Sequence, residues 1–225
     1  MQAEFERLIR NRRSIRAYLS TRVDQATVAQ ICATARRAPS GANLQPGKYH
    51  VLTGAPLANL IADLVQAADE NRPVDVEYSY FPEPMAADLK DRQRRAGFAL
   101  YNSLGIGRRD IAARRRQFAR NYTFFGAPVG VVVTIDRNMG KGCFMDLGMS
   151  TMTFFLAAES MGLGVTGIGA LANYGSLVHE NLNLPENEMV VCGIALGCPD
   201  KFAPVNNFRT ERAALEDFTS FRGFT

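Results

Sequence analysis

The chain has 225 residues, 47% of them hydrophobic, and a formal net charge of +4 at pH 7. That length and apolar content exclude a disordered protein and allow a sizeable core. The modest positive charge favours a small anionic ligand and does not call for nucleic acid. Cys32, Cys143, Cys192 and Cys198 form no C-x-x-C pair, and His50 and His179 are the only histidines, which argues against a structural zinc or iron–sulfur site. The opening Met-Gln-Ala-Glu-Phe-Glu is charged and has no apolar core, so a cytoplasmic protein with reduced thiols is expected. The longest apolar stretch, Met145 to Met161, is interrupted by Asp146 and Glu159 and does not read as a membrane span.

In chain order, Phe5 to Asn11 predicts a short opening helix. Asp24 is placed to cap a second helix, in which Val28, Ile31, Cys32 and Ala35 recur at helical spacing. Pro39 stops it. Tyr49 to Leu52 reads as a strand ended by Gly54, and a helix follows from Pro56 to Glu70. Asn71 to Pro84 carries Pro73, Pro82 and Pro84 with Tyr78, Tyr80 and Phe81. It reads as a long loop, either a functional lid or a surface excursion. Ala87 to Arg120 is helical and charged, with a break at Gly105-Ile106-Gly107. Pro128 to Ile135 is a buried strand, apolar throughout. Phe144 to Met161 is a helix apolar on nearly every side, hence central. Gly164 to Ile168 and Met189 to Leu196 are two more strands, and Arg212 to Phe221 is a terminal helix or arm. The expectation is one α+β domain over residues 1–225, a small sheet wrapped by helices.

Chemistry concentrates in a few segments. Arg12-Arg13-Ser14-Ile15-Arg16 sets three guanidiniums and a hydroxyl on one short stretch. Alternate side chains there can converge on an anion while Ile15 packs inward. Asn207 to Arg212 adds a second basic cluster; folded back, it would help enclose a phosphate monoester. Ala38 to Pro46 is a small polar loop able to read a polar ring. Gly162, Gly164 and Gly167 mimic G-x-G-x-x-G, but a helix precedes and a strand follows, the reverse of a dinucleotide fingerprint. Gly162 is better read as a helix cap, and Gly167 to Ala170 as backbone that a flat ring can approach closely. The run Arg108 to Arg116 reads as a solvated helix face rather than a nucleic-acid contact. No nucleophile–base set is arguable, so a cofactor is expected to carry the chemistry.

Five motifs in order carry a resemblance. They are Arg12 to Arg16, Pro39-Ser40-Gly41-Ala42-Asn43-Leu44-Gln45-Pro46, Phe125-Gly126-Ala127-Pro128 leading into a strand, the turn Gly167 to Leu171, and the pair Arg209 and Arg212. With them the chain resembles the FMN-dependent nitroreductase family over essentially its full length. Within it, the chain is similar to the subgroup acting on nitrobenzene and nitrobenzoate compounds. The resemblance implies an α+β nitroreductase-like fold, a mostly antiparallel central sheet surrounded by helices, in a domain-exchanged homodimer with two FMN sites at the interface. It implies that Arg12, Ser14 and Arg212 hold the phosphate and ribityl chain, with Arg209 as a helper and Arg13 among the cofactor-binding residues. Arg16 then lies near the N1–C2 carbonyl side of the ring. Pro39, Ser40, Gly41, Asn43 and Gln45 come from the second subunit, Gly169 and Ala170 face N5, and Asn121 meets the pyrimidine edge. Phe124 and Phe125 line the substrate side. The implied activity is NAD(P)H-dependent reduction of nitroaromatics by a ping-pong hydride mechanism, with no metal, membrane or nucleic-acid partner. Reduction of flavins, quinones or enones on the same scaffold stays open, as does, more remotely, nucleic-acid binding by the Arg108 to Arg116 helix. Two departures stand out. Gly47 follows Gln45-Pro46 where the family often has tryptophan, and Gly167-Ile168-Gly169 lacks the usual proline with Glu or Gln.

Overall fold

A computed structural model describes residues 1–224. Four strands form one sheet in the order β1-β2-β4-β3, every pair antiparallel. They are β1 (Lys48–Leu52), β2 (Val129–Asp136), β3 (Gly164–Ile168) and β4 (Glu188–Gly197). The Val-rich run Val131-Val132-Val133 suits a pleated strand covered on both sides. Its side chains alternate: Val131, Val133 and Ile135 pack on one face, and Val132 on the other.

On the first face lie α2 (Gln25–Ala35) and α6 (Lys141–Ser160), which bury Ile31, Leu147 and Phe154. On the second lie α3 (Gly54–Asp69) and α7 (Gly175–Leu182), which bury Leu60, Leu64 and Val178. Each such aliphatic side chain contributes about 1.5–3 kcal/mol when fully buried. The antiparallel sheet wrapped by helices is the α+β arrangement read from the sequence.

The capping expectation for α2 holds: Asp24 Oδ1 accepts from the Thr27 N–H at 2.8 Å. Gly162, at φ +74, ends α6 as expected. The charged stretch splits into α4 (Ala87–Ser103) and α5 (Ile111–Ala119) around Gly105.

One expectation changes, one open reading resolves to the arm, and one helix appears that the sequence did not announce. Helix α6 is not buried all round: Met145, Met149 and Met152 stand exposed at helical spacing on one face. Residues 212–221 form no α-helix, only a 3-10 turn at Leu215–Asp217 in an extended arm. Helix α7 carried no start signal, because its N-terminus has no local side-chain cap. Its cap is remote: Asp75 Oδ2 accepts from the Ser176 N–H at 2.9 Å. The opening helix is α1 (Gln2–Asn11). No helix of the described residues is long and apolar enough to cross a membrane.

Candidate active site

The segment after α1 is laid along the edge strand β3. Ser14 pairs with Val165, the Ile15 N–H donates to the Val165 carbonyl at 3.0 Å, and Ile15 is buried over Gly164. Its flanking side chains are thereby turned outward together. Asn206, 1% exposed, fastens the far end of the chain to this segment. Its Oδ1 accepts from the Arg16 N–H, and its Nδ2 donates to the carbonyls of Ala17 and Asp200, each at 2.8 Å. Asn206 had no assigned role at the sequence level. It lies next to the basic cluster that begins at Asn207.

The result is a cavity of about 530 Å³ lined by Arg12, Arg13, Ser14, Arg16, Arg209 and Arg212, with Ala96 and Gly97 of α4 opposite. None of these five guanidiniums has a carboxylate within ion-pair distance among the described residues. Arg13 Nε is buried without a hydrogen-bond partner. Burial, then repulsion from Arg212 and Arg209, lowers the Arg12 pKa against a partial offset from Glu159. Burial likewise lowers Arg16, whose guanidinium sits 6.0 Å from the Phe125 ring centroid and 5.9 Å from that of Phe208. Converging cations that repel one another and lack acids of their own are matched by a multiply charged oxyanion. A phosphate monoester fits this donor set.

Gly169 and Ala170 follow β3 directly. Gly169 lies four residues beyond the pairing of Ser14 with Val165, about 13 Å along the strand. They line a second cavity of about 890 Å³ with Asn121, Phe118, Tyr80 and Phe81. A Cβ on Gly169 would stand 3.0 Å from the Tyr80 ring, so glycine there permits the aromatic wall. Residues 75–78 are fastened to the body. Glu77 Oε2 accepts from the Val190 N–H at 3.0 Å, and Oε1 pairs with Arg137. The Tyr78 hydroxyl donates to the Val191 carbonyl at 2.6 Å. The 71–84 loop is thus a built wall of this cavity.

The remaining expected residues fall elsewhere. Phe124 is fully buried, its ring against Gly130 and Gly193, and faces the core instead of the expected substrate side. Phe125 is buried as well, packed under Arg16 and Arg120. Phe125 Cα, like that of Phe124, has positive φ, and the two rings are turned inward by that tight turn. Neither lines either cavity. Pro39, Ser40, Gly41, Asn43 and Gln45 also line neither. Their loop is nevertheless well held. Arg36 donates to the carbonyls of Gln45 at 2.6 Å, Pro46 at 3.3 Å and Gly47 at 2.8 Å. Ser40 Oγ accepts from the Gln45 N–H at 2.9 Å, and Asp146 Oδ2 from the Gly41 N–H at 3.0 Å. Gly47 has φ +84, and a Cβ there would meet Leu147 at 2.5 Å, which excludes tryptophan at this backbone.

The sequence matches the Nitroreductase family over residues 9–198. It is 37% identical over 98% of its length to a 4-nitrobenzoate reductase of Pseudomonas putida, 96% of which is covered. It is 36% identical to a chloronitrobenzene nitroreductase of Comamonas testosteroni, over 95% of each chain. The crystal structure of the FMN-dependent nitroreductase NfnB from Mycobacterium smegmatis in complex with NADPH superposes with a TM-score of 0.93 at 31% identity, covering 99% of this chain and 100% of that one. Family-wide coverage, identity and the shared fold leave one assignment: this chain belongs to the nitroreductase family.

Proposed function

We propose that the protein is an FMN-dependent NAD(P)H oxidoreductase that reduces nitroaromatic compounds to hydroxylamines, working as a homodimer. The observation that carries this reading is the cradle of five arginines, drawn from both ends of the chain, none of them within ion-pair distance of a carboxylate among the described residues. Bound there, FMN would supply two-electron hydride exchange in ping-pong order, so two equivalents of NAD(P)H are consumed as nitro passes through nitroso to hydroxylamine.

The chain's own residues divide the remaining work. Arg12, Arg13, Ser14, Arg209 and Arg212 grip the phosphate through charge-assisted hydrogen bonds. Arg16, stiffened between two aromatic rings, holds positive charge beside the ring system, where negative charge accumulates on reduction. Gly169 and Ala170, which line the 890 Å³ cavity, would meet the reacting edge, and Asn121, whose Nδ2 donates to the Phe118 carbonyl at 2.7 Å, would offer its Oδ1 alongside. Tyr80, Phe81 and Phe118, each half or more exposed in the single chain, offer aromatic faces on which a nitroarene would stack. The 39–47 loop of a second copy closes the site; its rigid scaffold of Arg36 and Asp146 suits a segment that serves a neighbour. The exposed Met145, Met149 and Met152 stripe supplies an apolar face for that association.

The test is an anaerobic spectrum of the purified protein before and after addition of NADPH, then turnover of nitrobenzene and 4-nitrobenzoate beside a quinone. Yellow protein that bleaches and then reoxidises with nitroarene is expected. Protein that cannot be reconstituted with FMN overturns the reading, and turnover restricted to the quinone reassigns the substrate.

A further inference from the structure

The aromatic wall of the 890 Å³ cavity is held from outside the cavity, by α7. Asp75 meets that helix at the Ser176 N–H. Glu77 lies over its first residue: a Cβ on Gly175 would stand 3.4 Å from the Glu77 carboxyl carbon, so glycine makes room for this carboxylate. His179 follows Ser176 by three residues and so shares its helical face. Its Nε2 stands 3.9 Å from Glu77 Oε1 and 3.4 Å from Arg137 Nη2, and the His179 and Glu77 side chains are each only 16% exposed. Arg137 is fixed independently, because its Nε donates to the Glu186 carbonyl at 2.6 Å while Nη2 pairs with Glu77. Around this group stand Asp75 on the wall, Glu186 ahead of β4, Glu180 on α7 itself, and Asp63 of α3, which accepts from Asn181 at 2.7 Å. His179 also sits in the last turn of α7, where the helix C-terminus favours positive charge.

His179 Nε2 thus faces two partners of opposite charge and can serve one at a time. Neutral, it accepts from Arg137. Protonated, it has no lone pair to offer there and donates to Glu77 instead, adding a second cation to the carboxylate that ties the wall to β4. Resting on the oxidoreductase reading, we propose that His179 is a positioning residue for nitroarene binding: its protonation tightens the grip on Glu77 and steadies Tyr80 and Phe81 at the cavity, and its deprotonation loosens them. Histidine is the side chain that changes charge between about pH 5 and 8. The docked wall is favoured while the imidazole is charged, and that contribution is lost as pH rises through its titration. KM for the nitroarene therefore rises with pH. The phosphate cradle, whose lining contains none of these residues, keeps its hold on FMN throughout.

The test uses the FMN-loaded protein, with nitrobenzene as the probe because it carries no titrating group. Between about pH 5.5 and about pH 8.5, KM should rise by about twofold to fivefold, the worth of one partly exposed ion pair. In His179→Gln, which stays neutral, KM should hold its high-pH value throughout, with the FMN content per chain unchanged. The chain contains no tryptophan, so Phe81→Trp places a single indole in the wall. Its fluorescence anisotropy should fall as pH rises, and should stay flat when His179→Gln is added. A KM that is flat or falls with pH in the unaltered protein overturns the proposal. So does a His179→Gln variant that keeps the slope, or one that loses FMN, which would assign His179 to the fold at large. If neither NADPH nor NADH bleaches the flavin, the oxidoreductase reading fails, while the indole anisotropy still decides whether His179 holds the wall.

Discussion

At the scale of single residues, the cationic cradle separates arginines that answer an anion from arginines that only meet water. Arg12 lines the cavity and is already disfavoured in its charged form by burial and by Arg212 and Arg209. Arg115 is an exposed residue of α5. Arg12→Ala should weaken FMN binding by about tenfold to a hundredfold, the worth of a charge-assisted contact. Arg115→Ala should leave it unchanged. Fluorescence titration of apoprotein with FMN measures both, and equal losses would contradict the assignment. A second residue sets acid stability. Burial pushes the Glu188 carboxyl up, but hydrogen bonds from Lys48, Thr134 and His50 outweigh it and hold the pKa below its ordinary 4.5. A carboxylate depressed in the folded state stabilises fully above its ordinary pKa, and that contribution fades as pH falls through the lowered value. Glu188→Gln should therefore flatten the acid limb of a stability–pH curve recorded by urea denaturation. An unchanged limb would place the acid sensitivity elsewhere. The arginines were legible in the sequence because charge type and spacing name a phosphate. Asn206 was not, because its partners Arg16, Ala17 and Asp200 are brought to it only by the fold.

Among the elements, the sheet and its helices follow from local pattern. Asp24 names a helix start, and three consecutive valines name a central strand, and both were readable. What local pattern missed is what distant residues supply. Helix α7 is capped by Asp75 from 101 positions away. The turn at Phe124 and Phe125 takes positive φ at two bulky residues, so a segment that reads as aromatic lining instead turns its rings into the core. The 71–84 loop offered two readings, and its contacts were not readable from local pattern: Glu77 and Tyr78 bind β4, and Tyr80 stands over Gly169. Glu77→Gln keeps the size but weakens the pairing with Arg137. It should raise KM for nitroarenes by about threefold to tenfold, because a misplaced wall costs contacts made in ground and transition states alike. Flavin content should be unaltered. Steady-state kinetics beside absorbance at the flavin band check this. A fall in flavin content with unchanged KM would assign Glu77 to the cofactor.

For the molecule as a whole, one chain supplies the cradle and the aromatic wall but holds its 39–47 loop away from both. In the proposed homodimer, the second copy's loop would complete the site. The exposed methionines of α6 are flexible, polarisable side chains, well suited to such a face. Met149→Asp buries a charge in that contact and should yield monomer by light scattering, with FMN lost in parallel. Monomer that retains FMN at full affinity would mean that one chain suffices. The helix exchange expected of the family could not be read from periodicity: α6 has apolar residues on all sides, and nothing in a linear pattern separates a face turned to the core from one turned to a second copy.

Asn206 joins the strand-edge segment near residue 16 to chain made 190 positions later. Strand β4 stands between β2 and β3 and ends at Gly197, so the sheet closes only when nearly all of the chain is available, and the anion grip further needs Asn206, Arg209 and Arg212 beyond it. A proteolytic nick in the terminal arm should therefore leave a folded protein with weakened FMN binding.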